Sequence, residues 1–142
     1  MADARSKARR RAVEVLFEAE TVGALTSSEL AALAAARRQI TAAHTPLPAF
    51  AQEILAGVAA NLGQIDDVLN TYQTGKAISR LPQVDRAILR VGVWELLFAD
   101  TPPNVAIDEA VNLAALLSTD ESPPVVNGLL GRIKDLAPTL RS

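Results

Sequence analysis

The chain has 142 residues, a net charge of −2, no Cys and 49% hydrophobic residues. That length fits a single domain with a real core, and the lack of Cys excludes disulfides and thiolate metal sites and fits a cytoplasmic protein. Aromatic residues make up only 4% while alanine and leucine abound, which favours helix over sheet; no apolar run reaches the ~18 residues of a membrane span, and no apolar signal core follows the charged start.

The first helix is predicted from Ala4 to Val22, with Val13, Leu16 and Phe17 as an apolar stripe and Gly23 as its stop. Thr26 and Glu29 form a capping-box pattern for an alanine-rich second helix carrying Leu30, Leu33, Ala34 and Ile40. Pro46 and Pro48 make the segment from Ala42 to Pro48 a hinge-like loop. A long third helix is expected from Ala49 to Thr74. Its seam is Ala51, Leu55, Val58, Leu62, Ile65, Leu69 and Tyr72, alternately four and three apart, and Gly75 ends it. After a linker at 76–82, the fourth helix runs to Ala99, with apolar residues from Val84 to Phe98 around much of its girth. It reads as the centre of the second half. The fifth buries Ile107, Ala110, Val111, Ala114 and Leu117, with Asp108 and Glu109 in or near its first turn. The sixth has Ser122 as N-cap, Pro123 at its first position, Val126, Leu129, Leu130 and Ile133 inward, and Pro138 as its stop. An all-α chain of six to seven helices with short connections follows.

Charge is unevenly spread. Residues 1–11 hold Arg5, Lys7, Arg9, Arg10 and Arg11 against Asp3, a net +4; the other 131 residues hold nine basic and fifteen acidic groups, a net −6. A basic arm on an acidic body points to an anionic partner, nucleic acid first. Arg10 and Arg11 can pair with Glu14 along the helix for ~0.2–0.5 kcal/mol each. Arg5 and Arg9 stand four apart with no acidic residue at position 13, an open ridge suited to phosphates, which guanidinium forks grip bidentately.

Catalysis is not expected. The one histidine, His44, sits in the proline-flanked loop, and the acidic pairs Asp66-Asp67, Asp108-Glu109 and Asp120-Glu121 are sequence neighbours, which do not face each other on a helix. Gly75-Lys76 lacks the upstream glycine of a phosphate loop, since Asn70 holds that place. Gly128 and Gly131, inside an apolar helical pattern, read as close-packing glycines. No metal or cofactor is implied.

Four blocks in order carry a family resemblance. They are the basic start Arg9-Arg10-Arg11-Ala12-Val13-Glu14-Val15-Leu16-Phe17; Leu81-Pro82-Gln83-Val84-Asp85-Arg86-Ala87-Ile88-Leu89-Arg90, running on to Val93-Trp94-Glu95-Leu96; Pro103-Asn104-Val105-Ala106-Ile107-Asp108-Glu109-Ala110-Val111; and Val126-Asn127-Gly128-Leu129-Leu130. Together they resemble the NusB family of bacterial transcription antitermination factors. Asp108 stands in place of the family's usual Asn and Val125 in place of its Phe.

The resemblance implies two packed three-helix units, halves of about 1–75 and 76–142, within one RNA-binding domain spanning 1–142. It implies binding of single-stranded boxA RNA in nascent ribosomal RNA transcripts, together with ribosomal protein S ten (NusE), in the RNA polymerase antitermination complex in the cytoplasm. The RNA-binding residues carried over are Arg5, Lys7 and Arg9 in the arm, where Ser6 departs from the family's longer basic run and Arg10 extends it downstream, and Glu121 and Val125 in the loop before the last helix. In that loop Pro124 and Val125 replace a basic and an aromatic residue. Asn127 is open to a second reading, a helix–helix hydrogen bond in the core. Asp85, Arg90 and Glu95 fall on the face that the family uses for its protein partner; for Arg90 and Glu95 internal ion pairs are the other reading. Monomer and homodimer both remain open. Two other classes stay beside this one. One is the related domain at the N-terminus of ribosomal RNA cytosine methyltransferases, which needs a cofactor domain and a catalytic Cys beyond Ser142. The other is a helical protein–protein adaptor that never touches RNA.

Overall fold

In the computed structural model, which describes residues 3–39 and 45–141, all regular structure among the described residues is helical. His44, Ile40, Ala42 and Ala43 lie outside the described residues. Helix α1 (Ala4–Thr21) starts where the Asp3 carboxylate accepts the Ser6 backbone N–H at 2.8 Å. That bond, the largest cause, holds the Asp3 carboxyl below its ordinary pKa. α1 ends in a Schellman turn. Gly23 adopts φ 73°, the Ala24 N–H reaches the Ala19 carbonyl at 2.8 Å, and the Gly23 N–H reaches that of Glu20 at 3.2 Å. Only Gly enters this left-handed region at no steric cost. α2 (Ser27–Ala36) is capped by Thr26, whose hydroxyl oxygen accepts the Glu29 N–H at 3.2 Å and donates to the Glu29 carboxylate at 2.8 Å.

The expected long third helix is two helices, α3 (Ala49–Ala60) and α4 (Leu62–Tyr72). The break is at Asn61, with φ −124° and ψ 21°. Its side-chain amide donates to the Gly57 carbonyl at 2.8 Å, and its backbone N–H is shared between Gly57 and Val58. An Asn that offers the preceding turn its own amide competes with the helical ladder. The apolar seam survives the break, because Ala51, Leu55, Val58, Leu62, Ile65 and Leu69 are all buried.

The chain divides into two compact units at this break, up to Leu62 and from Gly63 onward. In the first, α1, α2 and α3 pack on one another around Ala12, Leu16, Leu30, Ile54 and Leu55. Phe17, expected in the α1 stripe, is 41% exposed.

The second unit holds α4, a 3-10 turn (Ile78–Arg80), α5 (Gln83–Phe98), α6 (Pro103–Leu117) and α7 (Ser122–Leu140). Every residue of α5 from Ala87 to Leu97 is buried, and α5, α6 and α7 pack mutually. A Cβ on Gly92 would lie 2.7 Å from Leu130 Cδ1, so α5 and α7 meet there closely. Gly128 and Gly131 have nothing within 4 Å of such a Cβ. Gly92 is thus a close-packing glycine, and the expectation for Gly128 and Gly131 is corrected. Asp108 and Glu109 sit beyond the first turn of α6, which begins at Pro103. Pro138 does not stop α7 but lies inside its last turn, exposed, while Arg141 N–H still bonds the Ala137 carbonyl at 2.8 Å. Arg141 also donates to the Leu97 carbonyl at 2.9 Å and the Ala99 carbonyl at 2.6 Å, covering carbonyls that the end of α5 leaves open.

Candidate nucleic-acid interface

The basic start of the chain is divided by the packing of α1. Ala8, Ala12, Val13, Val15, Leu16 and Ala19 define its buried side. At about 100° per residue, Lys7, Arg10, Arg11 and Glu14 share the opposite side. Lys7 and Arg10 are exposed and Arg11 half-buried. Glu14 engages two of these cations, Arg10 at 3.6 Å and Arg11 at 2.8 Å. Exposed pairs of this kind contribute only ~0.3–0.5 kcal/mol, so Glu14 holds these arginines weakly.

Arg5 and Arg9 behave differently. Both lie over the ring of Phe50 in the first turn of α3, with the Arg5 guanidinium carbon 4.3 Å and that of Arg9 5.3 Å from the ring centroid. Arg5 is exposed, but Arg9 is only 3% exposed. The expected open ridge of Arg5 and Arg9 is therefore corrected. Arg9 is part of the interior, and the solvent-facing cations of the arm are Arg5, Lys7 and Arg10. Nothing in the sequence near Phe50 marks it as their partner, since it follows two prolines and has no basic neighbour.

In the second unit, the linker at 73–82 and the start of α7 enclose a cleft of about 700 Å³. Ile78, Leu81, Leu129 and Val125 give it apolar walls, and Lys76 and Arg132 add two cations. Arg132 is anchored through Nε to the Tyr72 carbonyl at 2.8 Å. Glu121 and Val125, expected from the sequence at an RNA path, both line this cleft and are exposed.

Ser122, expected as the α7 N-cap, is the first residue of the helix and does something else. Its hydroxyl donates to Asp85 Oδ2 at 2.8 Å and lies 2.9 Å from the hydroxyls of Ser118 and Thr119. Asp85 Oδ1 has no hydrogen-bond partner among the described residues, although Asp85 is 1% exposed. The reading of Asp85, Arg90 and Glu95 as a partner-binding face is corrected by burial. Arg90 is 6% exposed and its Nε donates to Asp66 Oδ1 at 2.9 Å. Glu95 is 1% exposed and its Oε2 accepts the Thr101 hydroxyl at 2.7 Å. A charge inside a protein is held by such partners because leaving it unpaired is costly. Asp85 lines the cleft described above. Asn127 is exposed, so it is no core hydrogen-bonding residue.

Among the described residues, no three His, Cys, Asp or Glu side chains converge as a metal site, and no helix is long and apolar enough to cross a membrane.

Residues 6–135 match the model of the NusB family. The chain belongs to the NusB family. The transcription antitermination protein NusB of Beutenbergia cavernae is 52% identical over 143 residues, covering 97% of this chain and 94% of that protein. The NusB of Kineococcus radiotolerans is 49% identical over 138 residues, covering 96% and 97%. Among solved structures, T. maritima NusB superposes with a TM-score of 0.75 at 30% identity, covering 99% of this chain and 98% of that one. A chain in the "Crystal Structure of a Plectonemic RNA Supercoil" has a TM-score of 0.72 at 24% identity, a likeness of fold. The NusB fold thus places Lys7 and Arg10 on an open helix face and puts Glu121 and Val125 at the mouth of a cleft.

Proposed function

We propose that this NusB-family chain is a transcription antitermination factor that binds single-stranded boxA RNA in nascent ribosomal RNA transcripts. The whole chain, 1–142, serves as one RNA-binding domain and works by assembly in the cytoplasm, not by catalysis. It joins RNA to ribosomal protein S ten and to the RNA polymerase antitermination complex. The observation that carries this reading is the family match over residues 6–135, with relatives of that name about half identical along nearly their whole length. The exposed cations Arg5, Lys7 and Arg10 support it, because helix-borne cations neutralise phosphates and release counterions. Glu121 and Val125 are the proposed second contact, at the cleft. Arg90 and Glu95 are interior and take no part in holding the protein partner.

The test is a gel-shift titration with boxA-like and scrambled RNA, with and without ribosomal protein S ten. Preferential boxA binding that strengthens with S ten is the expected result. A chain that binds S ten but neither RNA would be a protein adaptor, and the RNA reading would fall.

A further inference from the structure

Two arginines of α1 share one aromatic ring. The Arg5 and Arg9 guanidinium carbons lie 4.3 and 5.3 Å from the Phe50 centroid, within the ~6 Å over which a ring attracts a cation through its quadrupole. One of the pair is buried and the other is open, since Arg9 is 3% exposed and Arg5 lies at the surface. Both guanidinium groups meet the ring, that of Arg9 inside the fold and that of Arg5 at its surface. A guanidinium held on a ring has given up much of its rotamer freedom before any ligand arrives, which lowers the cost of binding. Its outward side is a flat, cationic, weakly hydrated surface. Unpaired bases stack on aromatic rings and on arginine planes alike.

We propose that Phe50 and Arg5 together form a stacking platform for an unpaired nucleobase of single-stranded RNA, with Arg9 as the buried group that positions the ring. The proposal rests on the RNA-binding reading above and adds to it a base contact beside the phosphate contacts. It gives the first unit a planar stacking surface, the outward side of the Arg5 guanidinium, of a kind that residue 125 lacks, where valine lines the cleft.

A phosphate-only role for Arg5 makes a different prediction. Lysine keeps the charge of arginine but has no plane to stack on. The experiment is fluorescence anisotropy of labelled boxA-like RNA over a salt series, with the wild-type chain, Arg5→Lys, Phe50→Leu and Phe50→Trp. Arg5→Lys and Phe50→Leu should each weaken binding about five-fold or more, the low end of what one stacked base contributes. Arg5→Lys should leave the salt slope unchanged because no charge is lost. Phe50→Trp should bind at least as well as wild type, its larger ring being the better cation partner. Arg5 is exposed, so its variant carries the test even where Phe50→Leu loosens the fold, which circular dichroism reads directly. Wild-type affinity in Arg5→Lys, or Phe50→Trp binding as weakly as Phe50→Leu, overturns the platform while the RNA reading stands. No RNA binding by the wild-type chain overturns both.

Discussion

The exposed face of α1 makes a quantitative prediction. Lys7 and Arg10 stand three apart on the side of the helix opposite its buried residues, and both are open to solvent. Arg10 gives up only a 3.6 Å contact to Glu14 when it turns to a phosphate. Replacing both by alanine removes two charges and one weak ion pair from the exposed side of the helix, so the fold should persist. Each phosphate contact on a single strand contributes about 0.7 to the slope of log affinity against log salt. The double variant should therefore lose about 1.4 of that slope. Between 50 and 200 mM salt, a fourfold change, the wild-type chain should lose roughly seven-fold more affinity than the variant. Anisotropy titrations of boxA-like RNA at four or five salt concentrations measure both slopes. An unchanged slope in the variant would refute the argument, because it would mean that neither cation meets a phosphate. Arg9 is the contrasting site. At 3% exposure its replacement by alanine should lower stability, and a loss of RNA binding there would report on folding first.

The cleft and the helix contacts give further expectations. Val125 is 40% exposed, so Val125→Phe has room, and a stacked base at about 1–3 kcal/mol should tighten boxA binding roughly five-fold or more; equal or weaker binding at unchanged stability would place the RNA path elsewhere. Ser122→Ala removes the hydrogen bond to buried Asp85, whose other oxygen already lacks a partner, and should cost about 1–3 kcal/mol in urea unfolding; a neutral result would mean that another group pairs with that carboxylate. Gly92→Ala gains about 1 kcal/mol of helix propensity but drives a methyl to 2.7 Å from Leu130 Cδ1, an overpacking that costs about 1–3 kcal/mol, so the midpoint should fall; a rise would mean that Leu130 yields freely. The Asp3 carboxyl should titrate below its ordinary value of about 3.9, because it accepts the Ser6 N–H; the cap is then fully present above that value and lost as pH falls through the lowered pKa, and a proton titration by NMR that finds Asp3 at or above the ordinary value would contradict the cap.

Much of the fold was legible because helical spacing and end signals are local. Gly23 and Thr26 with Glu29 mark real boundaries, each through a local backbone requirement. One boundary that sequence spacing missed was Asn61. The apolar spacing of four and three runs through the sequence of both α3 and α4, and Leu55, Val58, Leu62, Ile65 and Leu69 are all buried. Periodicity reports which side is buried and is silent on whether the backbone between two turns is continuous. The competing signal was a single side-chain amide bonding back four residues, and an Asn with two glycines nearby was its only trace. Gly92 escaped for a related reason. A glycine inside an apolar helix reveals close packing only when the facing residue is known, and Leu130 lies on another helix.

The charged residues show where sequence reasoning stops. A +4 arm gives the sign of its partner, because net charge adds without regard to geometry. Which arginine meets solvent depends on what the folded chain lays against each one, and Phe50 arrives from α3, far along the sequence. The same holds for Asp85, Arg90 and Glu95. As letters in a helix they look like exposed polar positions, yet Ser122, Asp66 and Thr101 meet them inside the fold as partners. A polar residue is read as exposed by default, since unpaired burial is costly. The exceptions are those whose partner comes from another part of the chain. In this molecule those exceptions separate the exposed cations of the arm, Arg5, Lys7 and Arg10, from Arg9 and Arg90, which the fold buries, and under the proposed function it is the exposed three that would meet phosphate.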